Sequence, residues 1–201
     1  MKILFQGDSI TDCGRGTGLG QGYPLLISAR LGLDAPGKHE FLNFGISGNR
    51  VVDVYARIKK DGWNHNPDVF SILIGINDVW RQFDSPEIKE THVSPEDFRA
   101  TYERLIASTL PRVKGMALMT PFFMEPNKLD PMRARMDEYG AIVRKLAEKY
   151  NLTFVDLQAA WDELFKHMHP CNIAWDRIHP NQTGCMYIAK QFLKAVGAER
   201  C

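Results

Sequence analysis

The sequence has almost no excess charge: 25 Lys and Arg stand against 24 Asp and Glu, a formal net charge of +1. No global field is available to gather nucleic acid or an anionic membrane, and neither is expected as a partner. Long apolar runs are missing as well. The longest, residues 69–76, ends at Asn77-Asp78 and falls far short of the roughly 20 residues that a membrane-spanning helix needs. Residues 1–7 carry one Lys and a short apolar stretch over 3–7, too little for the hydrophobic region of a secretory signal and without a cleavage site. Cysteine is scarce. Cys13, Cys171, Cys185 and Cys201 are widely spaced, with no C-x-x-C pair, a pattern that favours free thiols in a reducing compartment and a cytoplasmic location. Fixed-period repeats, low-complexity tracts and Pro/Gly/Ser linkers are absent too, so residues 1–201 are expected to form one domain.

What is present is an ordinary globular composition, 44% hydrophobic and 24% charged over 201 residues, enough for a core that needs no metal or disulfide staple. Short runs rich in Val, Ile, Leu and Phe recur at 2–6, 41–44, 69–74, 116–119 and 153–155. They are too short for helices and read as buried strands. Between them, Met132, Met136, Tyr139, Val143, Leu146 and Tyr150 fall three or four apart, which predicts a helix over 132–150 with one face in the core. Its charged residues Arg144, Lys145, Glu148 and Lys149 are expected on the solvated face. Ser94-Pro95-Glu96-Asp97 is a helix start, with a capping Ser, a first-turn Pro and two acids at the positive end, and that helix should run to Leu110 before Pro111. Further helices are expected near 22–31, 51–63, 158–167 and 182–196. A strand followed by a helix, repeated along the chain, predicts an α/β fold: a parallel sheet covered on both faces, with ligands bound beyond the carboxyl ends of its strands.

Four polar clusters arrive at that edge. Gly7-Asp8-Ser9-Ile10-Thr11 follows the first strand, Gly45-Ile46-Ser47-Gly48-Asn49 the second and Gly75-Ile76-Asn77-Asp78 the third; Asp176-Arg177-Ile178-His179-Pro180 lies in the last loop. Singly each is common turn chemistry. Together they suit acyl transfer. A serine hydroxyl is a poor nucleophile at neutral pH and needs a base, which His179 supplies. Asp176, three residues earlier, can orient the same imidazole and balance its charge. Asp8 and Asp78 read as acceptors that organise their loops.

In that order the clusters resemble the four blocks of the SGNH, or GDSL-type, hydrolase family, with Ser9, Gly48, Asn77 and the Asp176/His179 pair at the block positions and a likeness running over 3–189. Ile10 stands where the family name has Leu, an exchange of similar apolar residues. The resemblance implies a three-layer αβα, flavodoxin-like fold with a central five-stranded parallel sheet, a catalytic triad of Ser9, Asp176 and His179, and an oxyanion hole built from the Ser9 N–H, the Gly48 N–H and the Asn77 amide. Those groups fill every catalytic role, so no cofactor or metal is expected. His167 and His169 are read as surface or packing residues, without flanking ligands.

Aromatic residues flank two of the blocks. Trp175 precedes Asp176 and Trp80 follows Asn77-Asp78, so both are candidates to contact a sugar ring, whereas Trp161 and Trp63 are read as core. Longer stretches, 7–15, 75–81, 119–122, 130–133 and 174–177, resemble the intracellular acetylxylan and xylo-oligosaccharide acetyl esterases of the same family. That likeness implies a serine esterase removing acetyl groups from a small acetylated carbohydrate through an acyl-enzyme. Two alternatives stand beside it: a short-chain lipid ester or thioester hydrolase, which needs a longer apolar acyl channel, and a non-catalytic carbohydrate-binding module, which would have lost catalytic groups. Assembly into a homo-oligomer is left open.

Overall fold

The computed structural model describes residues 1–16 and 18–198. Five strands, β1 (Lys2–Gly7), β2 (Glu40–Gly45), β3 (Val69–Leu73), β4 (Gly115–Met119) and β5 (Thr153–Val155), form one sheet in the order β2-β1-β3-β4-β5. Every pairing is parallel. This is the flavodoxin-like order, in which β1 lies between β2 and β3 and the chain reverses direction across the sheet beside it. In a sheet of this order the switch point falls at the carboxyl end of β1, where such folds bind their ligands.

Helices cover both faces. On one, α2 (Tyr23–Asp34), α7 (Leu157–Leu164) and α8 (Gln182–Ala195) pack on one another; on the other, α3 (Val51–Asp61), α5 (Pro95–Thr109) and α6 (Pro131–Tyr150) do so. Phe5 of β1 is fully buried against Tyr23 of α2 and Phe192 of α8, while Phe98, Tyr102 and Tyr139 join α5 to α6. Side chains cap the helices as their sequences suggest: Ser94 accepts from the Asp97 N–H at 3.1 Å, Asp130 from Arg133 at 2.9 Å and Asn181 from Gly184 at 3.1 Å. Strand expectations hold to within one residue at each end. Trp161 is fully buried and Trp63 half-buried, its indole N–H donating to Thr109.

Two elements depart from the expected loops. Ser9–Asp12 forms a single helical turn, α1, and Ile76–Asp84 forms a helix, α4, directly after β3. The Asn77-Asp78 pair therefore lies in the first turn of a helix. Cys13, Cys171 and Cys185 are free thiols; the expectation for Cys201 lies outside the described residues.

Candidate active site

β1 leaves the sheet at Gly7, and the Asp8 carboxylate caps α1 by accepting the Ile10 N–H at 3.0 Å. Ser9 is the first residue of that turn, so its N–H has no intrahelical acceptor. Its hydroxyl lies 2.8 Å from His179 Nε2, and His179 Nδ1 lies 2.6 Å from Asp176 Oδ2. A carboxylate can only accept, so Nδ1 carries the hydrogen and Nε2 is left to accept the serine proton. The other Asp176 oxygen accepts the backbone N–H of Ile178 at 2.9 Å and of His179 at 2.8 Å. Burial works against the Asp176 charge, but the His179 ring and these two amides outweigh it and hold the carboxyl below its usual range. The loop is anchored by the Met124 N–H donating to Arg177 O at 2.9 Å and the Asn181 N–H donating to Ile173 O at 2.8 Å.

The turn after β2 is tied to α1. Gly48 sits at φ +82°, and a side chain there would meet no atom within 4 Å. Backbone conformation, not crowding within the protein, is thus the local reason for glycine. Asp12 of α1 accepts the Ser47 N–H at 3.2 Å and the Ser47 hydroxyl at 2.9 Å, joining the Ser9 turn to the Gly48 turn. Gly75, at φ +135°, starts α4 and presents Asn77, whose amide donates to Asn49 O at 3.0 Å and keeps a second hydrogen for another acceptor. Asp78 accepts the Val51 N–H through both oxygens, at 3.0 and 3.1 Å, fixing the start of α3 to α4.

Asp8 and Asp78 thus do organise their loops, and they do so in an unusual electrostatic state. Burial pushes the Asp8 carboxyl up to about 7, against the Ile10 N–H and the nearby His179. Burial likewise pushes Asp78 up to about 8, the Val51 N–H opposing and the Asp8 charge adding to the rise. Sequence alone carries no sign of this, because it depends on what covers the two acids.

The two candidate sugar contacts occupy different places. Trp80 lies on α4 with its ring 6.2 Å from the His179 ring in an edge-on arrangement, and the Arg81 guanidinium stacks over it at 4.8 Å. Trp175 is 89% exposed and borders a cavity of about 540 Å³ with Glu125, Met168, Cys171 and Arg177. His169 accepts the Cys171 N–H at 3.2 Å, and among the described residues no three His, Cys, Asp or Glu side chains cluster as metal ligands would.

A parallel sheet carrying a Ser-His-Asp relay beyond the carboxyl end of its first strand defines a serine hydrolase scaffold of the αβα type. Residues 5–185 match the GDSL-like lipase/acylhydrolase family, and the chain belongs to it. It is 48% identical to an acetylxylan esterase of Geobacillus stearothermophilus over 98% of this chain and 94% of that protein. The crystal structure of Axe2, an acetylxylan esterase from Geobacillus stearothermophilus, superposes with a TM-score of 0.96 at 47% identity, over 98% of this chain and 94% of that one. LAE5, an α/β hydrolase from the metagenome of Lake Arreo in Spain, superposes with a TM-score of 0.97 at 46% identity, over 100% of this chain and 96% of that one. Solved catalytic mutants of Axe2 include replacements of a serine, an aspartate and a histidine by alanine.

Proposed function

We propose that the protein is a serine esterase that removes acetyl groups from acetylated xylo-oligosaccharides or related sugars, working as a single domain over 1–201. The observation that carries the reading is the unbroken relay from Ser9 Oγ through His179 to Asp176, at 2.8 and 2.6 Å. His179 Nε2 takes the serine proton as Oγ attacks the acetyl carbonyl. The oxyanion accepts from the Ser9 N–H, the Gly48 N–H and the Asn77 amide. His179 then returns the proton to the departing sugar hydroxyl, leaving acetyl-Ser9, and a water activated by the same base releases acetate. Trp80 and Trp175 serve as platforms for the sugar. Likeness to acetylxylan esterases over nearly the whole chain supports the substrate class, and the free Cys13, Cys171 and Cys185 support a reducing, cytoplasmic setting.

The test measures acetate release from acetylated xylo-oligosaccharides and hydrolysis of aryl acetate and aryl octanoate. Acetyl esters should be preferred, and Ser9→Ala should lower turnover by about 10⁴-fold or more while the protein stays folded. Trp175→Ala should impair the oligosaccharide reaction more than the aryl acetate reaction. Octanoate outpacing acetate would transfer the reading to a lipid or thioester hydrolase.

A further inference from the structure

A parallel sheet ends at its carboxyl edge in carbonyl groups whose partners must come from elsewhere. At the ends of β1 and β2, one side chain on α3 bonds two such carbonyls, of which Gly7 O also accepts the Ile46 N–H at 3.1 Å. Arg57 donates from Nη2 to Gly7 O at 3.2 Å and from Nη1 to Phe44 O at 2.9 Å. Its Nε donates to Asn49 Oδ1 at 2.7 Å, and Asp61, one helical turn on, accepts from Nη1 at 3.3 Å. Asn49 in turn accepts the Asn77 amide on its backbone carbonyl at 3.0 Å. A single guanidinium is therefore bonded to the strand end that leads into Asp8-Ser9 and to the residue beside Gly48, and through that residue it reaches Asn77. Those segments carry the three oxyanion donors assigned above.

The residue type fits this task. The planar fork of a guanidinium spreads its donors over three nitrogens and so reaches four separate acceptors here, more than the three hydrogens of a single ammonium nitrogen can serve, and it stays charged at every working pH. Burial and the neighbouring Arg15 weaken that charge, and Asp61 supports it. The Arg57 side chain is 14% exposed and the Asp61 side chain 16%, so their pairing is shielded from solvent. Donors in an oxyanion hole act within a few tenths of an ångström, and a misplacement of about 1 Å is enough to lower the rate about 100-fold. Such an error weakens transition-state binding more than ester binding.

We propose that Arg57 is a positioning residue for the oxyanion hole, setting the spacing of the Ser9 N–H, the Gly48 N–H and the Asn77 amide through its bonds to Gly7, Phe44 and Asn49. The proposal rests on the esterase reading. The experiment compares wild type, Ser9→Ala, Arg57→Ala, Arg57→Lys, Asn49→Ala and the Arg57/Asn49 double variant on an aryl acetate, with thermal unfolding of each. Arg57→Ala should lower kcat by about 10- to 100-fold with KM changed less than about threefold. Millimolar methylguanidinium should restore part of that loss and methylammonium should not. Arg57→Lys keeps the charge and the Asp61 pairing but reaches fewer acceptors, so its loss should be intermediate, and it carries the test if the alanine variant does not fold. The double variant should lose little more than the worse single one, because the Asn49 side chain bonds Arg57 and shares its path. Arg133→Met serves as a control, since Arg133 is buried among Asp137, Asp162 and the Glu125 carbonyl; it should lower Tm without lowering kcat per folded molecule. A folded Arg57 variant with wild-type kcat, or single losses that multiply in the double variant, would overturn the proposal. Wild-type turnover that survives Ser9→Ala would instead overturn the esterase reading, a result these arms separate from the first.

Discussion

In the proposed relay His179 acts as a base while its Nδ1 hydrogen is engaged, and Asp176 is the group that engages it. Its two oxygens are fully committed, one to the ring and one to the Ile178 and His179 amides. Asp176→Asn should keep the turn, because the amide oxygen can still accept the backbone N–H groups, but it places an NH₂ group or a weaker acceptor against the ring. We expect kcat to fall by about 10³- to 10⁴-fold with KM little changed, measured on an aryl acetate. At this scale most of the candidate site was legible in the sequence, since Ser9, Gly48, Asn77, Asp176 and His179 all sit in short blocks whose order carries information. Arg57 was not legible. An arginine followed four residues later by an aspartate reads as a surface helix pair, and only the meeting of two strand ends above it shows that it does more.

Among the elements, α1 and α4 were missed for different reasons. α1 spans four residues, too short for a periodicity to be read. α4 did carry a signal: Ile76, Val79, Trp80 and Phe83 fall at the spacing of one helical face. The Gly75 and Asn77-Asp78 punctuation concealed it, because Gly and Asn-Asp usually mark turns. The structure shows what Gly75 is for. It turns the chain at φ +135° straight from β3 into α4, where a Cβ would press on the Pro121 and Phe98 rings. Gly75→Ala should therefore destabilise the protein by about 2–4 kcal/mol in denaturant unfolding, from overpacking together with the left-handed backbone. It should also lower kcat, because Asn77 rides on the displaced helix. The long helices α5 and α6 were legible because each repeats its apolar face over several turns and starts on a side-chain cap.

For the molecule as a whole, the parallel sheet followed from the alternation of strands and helices, but the burial of two carboxyls beneath the rim did not. When the chain is unfolded, Asp8 and Asp78 ionise near the ordinary 3.8; when it is folded, they ionise at about 7 and about 8. The folded state therefore holds extra protons between these limits. The stability this gives is complete below the unfolded value and is lost as pH rises through the folded ones. Asp176 works the other way, its stabilising charge present above 3.8 and lost as pH falls through its depressed value. Asp78→Asn keeps an acceptor for the Val51 N–H and removes one of the two buried acids. Its Tm should vary less than that of wild type between about pH 5 and about pH 9, followed by calorimetry. An unchanged slope would mean that Asp78 is not the source.

Ser9 and His179 meet across 170 positions of chain. The two halves of the candidate relay therefore come from opposite parts of the fold and meet only when the loop leading into α8 is in place. α8 docks on α2, beside the strand that leads into Ser9, so the first and last parts of the fold close on each other. No fragment that ends before residue 179 can hold a working relay, however well its own part of the sheet has formed.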